Sequence, residues 1–435
     1  MVTRSLLNHN SRSIRTAKSE RGATAIQVLV LLVPVIMGLI GFAVDLGRLY
    51  SARNDLKEAA NSMALAMATQ LIGTDAATGN APLIGQLTID NTGGLGNKYD
   101  FGGNAIGQDN GSLASTVSDP QFYAALSDAI GSGNEGTGNT VGGATAKYVR
   151  VNISGETPLV FWNFLTLAQN RRTLVQATAV AGISAPLCTA CSIEPIAVPA
   201  VDATDTTDFG YVVGTAYTFA YLCNGGGTPG TLPGGGTVVQ YVLLNRLSTS
   251  TQIFTGETSQ LLRAGADGLP PSSVQTDACF FVNTSEQIWA SATPSACNAP
   301  TVNASTQAFL CGVGLRFDSS LQGNCATIPE SDSISTIYTQ DPDLSDVTDY
   351  TQYVGFGRRV ITSPIVDSTA NTSAMTVLGF RQFLVQPNNG ATTINAADTN
   401  GRFNVLYLGT VKPVRQGSFG GCSQTAGPGK VVLHR

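Results

Sequence analysis

Residues 23–44, ATAIQVLVLLVPVIMGLIGFAV, form one hydrophobic run without a charge, bracketed by Arg21 and Asp45. As a helix rising about 1.5 Å per residue the run covers about 33 Å, the depth of a bilayer's hydrocarbon core. A secretory leader would have an apolar region of about 7–15 residues followed by a small-residue cleavage site. This run is longer, and no A-x-A site follows it. The pattern predicts a membrane-spanning helix with the lipid bilayer as its partner. Pro34 falls mid-span, where neighbouring groups can re-satisfy the freed carbonyl and a kink is tolerated.

Beyond Asp45 the period changes but does not stop. Leu46, Leu49, Tyr50, Leu56, Ala60, Met63, Met67 and Leu71 recur in steps of three, four and seven, while Arg48, Asn54, Asp55, Lys57, Glu58 and Asn61 fall largely elsewhere. With Gly73 as a fitting stop, this predicts one helix of about 50 residues, membrane-embedded first and amphipathic second. The apolar stripe suits packing on the chain's own sheet, the commoner use of such a face, or a helix–helix oligomer. Residues 73–145 are rich in Gly, Asn, Thr and Asp and read as a long loop region. A short helix over 119–130, with Asp119 as N-cap and Pro120 at its first position, would break it. Residues 148–153 alternate as a strand and 173–183 supply a second; PLVFWNFL between them reads as an aromatic turn or short helix.

At Pro186 cysteines appear and the chain becomes a series of short strand patterns with turn signals: 209–222, 237–247, 279–283, 306–317, 372–385 and 403–411. The fold class is α+β: a long N-terminal transmembrane and amphipathic helix with a small strand module, then a mainly β exported domain with disulfides. The expected divisions are a basic cytoplasmic tail (1–22), the span (23–44), a helix, loop and strand module (45–185) and the Cys-containing β-rich domain (186–435).

Charge sets the orientation. Residues 1–21 carry Arg4, Arg12, Arg15, Lys18 and Arg21 against Glu20, whereas the whole chain nets −5. A basic flank before the span places the N-terminus in the cytoplasm and everything after Val44 outside it. Charged residues are only 12 % of the chain, about half the usual share, which suits a loop-rich extracytoplasmic protein. No broad basic surface exists, so nucleic acid is not an expected partner. His9 and His434 are the only histidines, which argues against Ser-His-Asp and Cys-His sites and rules out HExxH zinc chemistry.

All eight cysteines (Cys188, Cys191, Cys223, Cys279, Cys297, Cys311, Cys325 and Cys422) lie beyond the span. An even number confined to the exported part predicts four disulfides. Cys188-Thr-Ala-Cys191 is a CxxC, open to a redox pair, half of a zinc site or a structural disulfide at the domain junction. Pro186 before it and SIEPIAVP after it give an extended context that disfavours the redox reading. Cys279, Cys297, Cys311 and Cys325 are spaced too widely for zinc knuckles. Residues 131–136 fit GxGxxG literally, but no strand precedes them and no helix follows. Asp202, Asp205 and Asp208, and Asp341, Asp343, Asp346 and Asp349, are carboxylates that could ligate calcium. In the second set Asp346 stands where an EF-hand loop needs Gly and Gln352 where it needs Glu, so both read as solvated acidic turns. No catalytic, metal or cofactor-binding residues are assigned.

The segment RGATAIQVLVLLVPVIMGLIGFAVDLGRLYSARNDLKEAANSMALAMA (21–68) resembles the N-terminal module of TadG-like proteins of the tight-adherence (Flp) pilus assembly system. The shared features are the Arg21-Gly22 entry, the proline within the span, the GFAVDLGRLY exit and the alanine-rich continuation with Arg53 and Leu56. Residues 148–182 resemble the strand pair that closes this module, less distinctively. The resemblance implies an inner-membrane protein with a pseudopilin-like helix, acting with other pilus-assembly proteins. Two departures qualify it. Class III prepilins cut after Gly usually carry Glu at the fifth mature position, which here is Gln27, favouring an uncleaved anchor. Asp318, Asp332 and Asp367 all miss the DxSxS spacing of a von Willebrand factor A metal site. The expected protein is a non-enzymatic, single-pass component of a pilus-assembly or surface-adhesion system. The rival is a tethered exported enzyme or redox protein using Cys188 and Cys191.

Overall fold

The computed structural model describes residues 20–89, 115–131, 140–159, 161, 172–191, 193–194, 196–223, 227–245, 279–282, 289–290, 304–314, 316–317, 340–370, 375–387 and 394–434. The helices are α1 (Glu20–Ala68), α2 (Ala77–Ile89), α3 (Leu126–Ile130) and α4 (Ala304–Gly314). The strands are β1 (Ser115–Val117), β2 (Gln121–Tyr123), β3 (Tyr148–Pro158), β4 (Arg172–Ile183), β5 (Thr189–Cys191), β6 (Ile196–Pro199), β7 (Ala216–Tyr221), β8 (Val238–Asn245), β9 (Cys279–Phe281), β10 (Trp289–Ala290), β11 (Val360–Val366), β12 (Val377–Gln386), β13 (Phe403–Gly409), β14 (Gln416–Ser418) and β15 (Val431–Leu433). The long apolar helix followed by mainly β structure is the expected class.

Residues cluster into two units: 1–56, 104–116 and 154–176 form one, and the remainder the other. In the first, α1 runs unbroken through Pro34. In the second, residues 57–68 continue the helix with Ala59, Ala60, Met63, Ala64 and Met67 buried. Met63 and Met67 pack on Gly85 of α2, where a Cβ would collide with them. The helix ends at Ala68, short of Gly73, which takes a positive φ of 78° in the turn that follows.

The strand module has the order β1-β3-β4-β15, with β2 also on β3; β15 is antiparallel to β4 and β2 to β3. Its outer member β15 comes from the far end of the chain, pairing Val431 with Ile183 and Leu433 with Ala181. Two local expectations fail here. The helix foreseen over 119–130 is strand β2 followed by the five-residue α3, whose N-cap Ala125 makes no side-chain cap bond. Pairing of Gln121 with Arg150 and Tyr123 with Tyr148 overrides the capping signal. Residues 77–89, expected as loop, form α2 despite Gly79, Pro82 and Gly85.

Strands β6, β7, β8, β11, β12 and β13 close into a barrel. Strand β8 pairs antiparallel with β6, β6 parallel with β11, β11 antiparallel with β12, β12 with β13 and β13 with β7. The ring closes where β7 lies parallel to β8, Thr218 opposite Val238 and Tyr221 opposite Tyr241. Alternation explains the lumen, because every second residue of a strand faces one side. Val198, Phe219, Tyr241, Leu243, Ile361, Phe383, Val385, Phe403 and Tyr407 fill it. Phe219 and Phe383 meet edge to face at 4.9 Å. Residues 306–317, expected as strand, belong mostly to helix α4. Phe309, Leu310, Val313 and Phe317 recur at helical steps and join the barrel core; a short apolar run does not by itself distinguish the two periods.

Outside the barrel wall two further layers form. The sheet β14-β5-β9 and Phe280, Val282 and Leu187 cover Val242, Leu244, Val377 and Phe380. Val347, Tyr353 and Ile72 cover Val360, Leu384, Leu406 and Leu408. The chain leaving α1 is therefore stitched to the barrel. Asp75 N–H donates to the Thr351 carbonyl (2.8 Å), and Gly357 lies against Ile72.

Candidate functional site

From Ile26 to Leu46 the large apolar side chains of α1 are exposed on every face, from 45 % at Val33 to 73 % at Leu31. Such a helix cannot be stable in water, where apolar faces require cover; a hydrocarbon surround supplies it all round. Residues 25–68 constitute a helix long and apolar enough to cross a membrane. Arg21 and Gly22 lie in its first helical turn.

Two residues at the exit end depart from this exposure: Gly41 is buried and Asp45, one turn on, is only 6 % exposed. The cause is Phe161. Its ring sits where a Gly41 side chain would be, so any Cβ there would overlap it. Its backbone N–H donates to both oxygens of the Asp45 carboxylate, at 3.2 and 3.1 Å. Positions four apart share a helix face, so one residue of the β3–β4 connection engages both.

The cysteines behave as staples. Cys188 is joined to Cys422 with Cα atoms 5.6 Å apart. Cys191, Cys223 and Cys311 are also disulfide-bonded, and among the described residues no cysteine is free. Cys297 and Cys325 lie outside the described residues, as does the side chain of Cys279. Cys188 and Cys191 are thus both in disulfides, but Cys188 is joined to Cys422 and not to its CxxC neighbour. Residues three apart on an extended chain point to opposite faces. Cys188 donates its N–H to the carbonyl of Ser418 in β14, and Cys191 stands opposite Cys279 on β9.

With this geometry in hand, comparison with known families is decisive for one segment. Residues 22–69 match the Tad family model, Flp pilus-assembly TadE/G-like. The match spans almost all of α1, the exposed apolar part and its buried continuation alike. It stops before the closing strand pair, so the likeness seen at 148–182 lies outside it. No curated protein and no solved structure matches the chain.

Beyond the TadE/G-like segment the strongest polar chemistry is buried in the barrel wall. Arg359, fully buried, donates through Nη1 to the carbonyls of Asp343 (2.8 Å) and Ser345 (2.7 Å). Its backbone N–H reaches the Asp341 carboxylate at 3.2 Å, to which the Tyr353 hydroxyl also donates. The guanidinium stands 5.1 Å over the Phe317 ring. Burial pushes the Asp341 carboxyl up despite these donors. Burial acts the same way on Asp343, but hydrogen bonds from Ser345 and Val354 and the Arg359 charge outweigh it and hold that carboxyl low. Burial also lowers the Arg359 pKa. The solvated-turn expectation is thus wrong for Asp341 and Asp343, which organise residues 341–354. Arg316 and Glu194 form a second buried pair.

Asp205 does lie in an acidic turn. Its oxygens accept the N–H groups of Gly210, Thr207 and Asp208, and these bonds hold its carboxyl below the usual range. Arg381 fastens that turn to β12, donating to the Thr207 carbonyl at 2.8 Å with its guanidinium 4.5 Å over Phe209. Among the described residues no group of three His, Cys, Asp or Glu is placed to hold a metal ion. Arg150, Arg359 and Arg381 as buried residues were not foreseen. The available signal was an arginine within an apolar strand run, as in VRVNI and GFRQFLV.

Proposed function

We propose that the chain is a single-pass inner-membrane component of a Tad/Flp-type pilus assembly or surface-adhesion system, acting structurally and not as an enzyme. One observation carries this reading: the segment similar to the TadE/G-like family coincides with the helix whose apolar side chains are exposed on every face. In this reading residues 1–22 are a basic cytoplasmic tail, 23–44 the span and 45–185 a pseudopilin-like module. Residues 186–435 are an exported domain braced by disulfides. The barrel supports the structural role, because its lumen is filled by aromatic side chains that leave the outer surface for recognition. Other pilus-assembly proteins are the partners, and Gln27 in place of Glu favours retention of the Gly22–Ala23 bond.

Deletion of the gene in the native host, followed by complementation, tests the role. Loss of pili or surface attachment that full-length protein restores, and protein lacking residues 23–44 does not, is the expected result. Undiminished piliation and attachment in the deletion strain would refute it.

A further inference from the structure

We propose that Phe161, between β3 and β4, makes a second contact with lipid, its side chain dipping into the bilayer surface beside the foot of α1. The inference rests on the anchoring role of α1 and adds to it. Gly41 lies three residues inside the end of the apolar run, about 4.5 Å below Val44 along the helix axis. The Phe161 ring packs at that level. If residues 23–44 span, the ring is at the same depth.

Two further observations favour lipid as the occupant. The ring is only partly buried, with one side against Gly41. Around it Met37, Phe42 and Val44 are exposed, so its open side continues the apolar surface of the span. Secondly, an unpaired backbone N–H is costly at membrane depth because no water is there to accept it. The N–H of Phe161 is taken up by both oxygens of Asp45. The carboxylate at the end of the span is thus what lets a chain segment enter the interface without an orphaned donor. A phenyl ring has no polar tip, so the acyl-chain side of this zone suits it better than water. Trp162 follows Phe161 directly in the sequence.

Tryptophan quenching in bilayers tests the proposal on the full-length chain. The protein has two tryptophans, Trp162 and Trp289. A W162F/W289F background carrying F161W puts the only fluorophore at the ring in question. F161W with both native tryptophans retained, read as the difference in quenching from the parent, serves if the first variant does not fold. A third variant, L32W in W162F/W289F, reports the middle of the span. Each is reconstituted into vesicles with phospholipid brominated near the headgroup end of the acyl chains, or near their middle. The expected result is that F161W loses most of its emission to the shallow bromines and less to the deep ones. L32W should show the reverse, and neither should respond to aqueous iodide. If L32W is quenched by the deep bromines but F161W is quenched only by iodide, the ring is in water and the proposal falls while the anchor stands. If F161W responds to neither quencher, a protein neighbour covers the ring and the lipid proposal is overturned. If L32W escapes both bromines, the anchoring role itself is refuted.

Discussion

The hydroxyl of Tyr350 donates a 2.9 Å hydrogen bond to the carbonyl of Ile72, 278 residues earlier in the chain. Ile72 follows the helix that begins in the apolar span; Tyr350 stands on the outer wall of the barrel, its ring stacked on Tyr353 at 5.7 Å. Together with the Asp75–Thr351 bond it fastens the barrel to the end of α1.

Removing only the hydroxyl isolates that tie. Y350F keeps the ring stack and leaves the buried Ile72 carbonyl without its partner, which costs about 1–3 kcal/mol. Denaturant unfolding of the detergent-solubilised protein measures it; an unchanged midpoint would mean that water replaces the hydroxyl.

The Cys188–Cys422 bond joins residues 234 apart in sequence. In the chain-entropy account a loop of that size contributes at the top of the range for disulfides, about 5 kcal/mol. The double variant C188S/C422S should unfold at distinctly lower denaturant than the parent. Peptide mapping without reduction should also recover Cys191 joined to Cys279, its register partner across β5 and β9.

Arg359 is expected to be the most sensitive charged position in the barrel wall. R359M leaves the Asp343 and Ser345 carbonyls without their buried charged donor, a loss of about 1–3 kcal/mol. Arg402, whose ion pair with Asp398 is partly exposed, provides the contrast: R402M should cost about 1 kcal/mol or less. Equal effects at the two sites would contradict the account of the buried network.

His434 gives the module a pH dependence. Its backbone N–H bonds the Val180 carbonyl, and its ring meets Tyr148 edge-on at 5.4 Å. Burial pushes its pKa below the ordinary value of about 6.5, only partly offset by a backbone bond at Ile183. The unfolded chain then takes up a proton before the folded one does. Stability from the neutral ring is present above about pH 6.5, declines as pH falls through that value and levels off below the lower folded pKa. Hydrogen exchange of the β15 amides at several pH values checks this, and H434F should remove the dependence.

The long helix was legible because an uninterrupted apolar run admits few other structures. β7, β8, β12 and β13 were legible because aromatic and β-branched residues alternate along them. The barrel closure was not, since β7–β8 and β6–β11 are parallel pairings that no local pattern specifies. α2 was hidden by Gly79, Pro82 and Gly85, which oppose helix locally and are overridden by packing on Met63 and Met67. α4 was misread because its apolar stretch suits either period. At the anchor, Arg21, Gly22 and Asp45 were visible as boundaries. The role of Asp45 as acceptor for Phe161 was not, because the two are 116 residues apart. The cysteine count pointed to disulfides, but spacing cannot give connectivity.

The central claim is that residues 23–44 cross the inner membrane and carry the barrel out of the cytoplasm. A reporter enzyme that is active only outside the cytoplasm, fused after Arg435, tests it most directly. Activity in intact cells, lost when residues 23–44 are deleted, is the expected result. A fusion that is stably made but inactive, while a cytoplasm-active reporter at the same position works, would contradict the account.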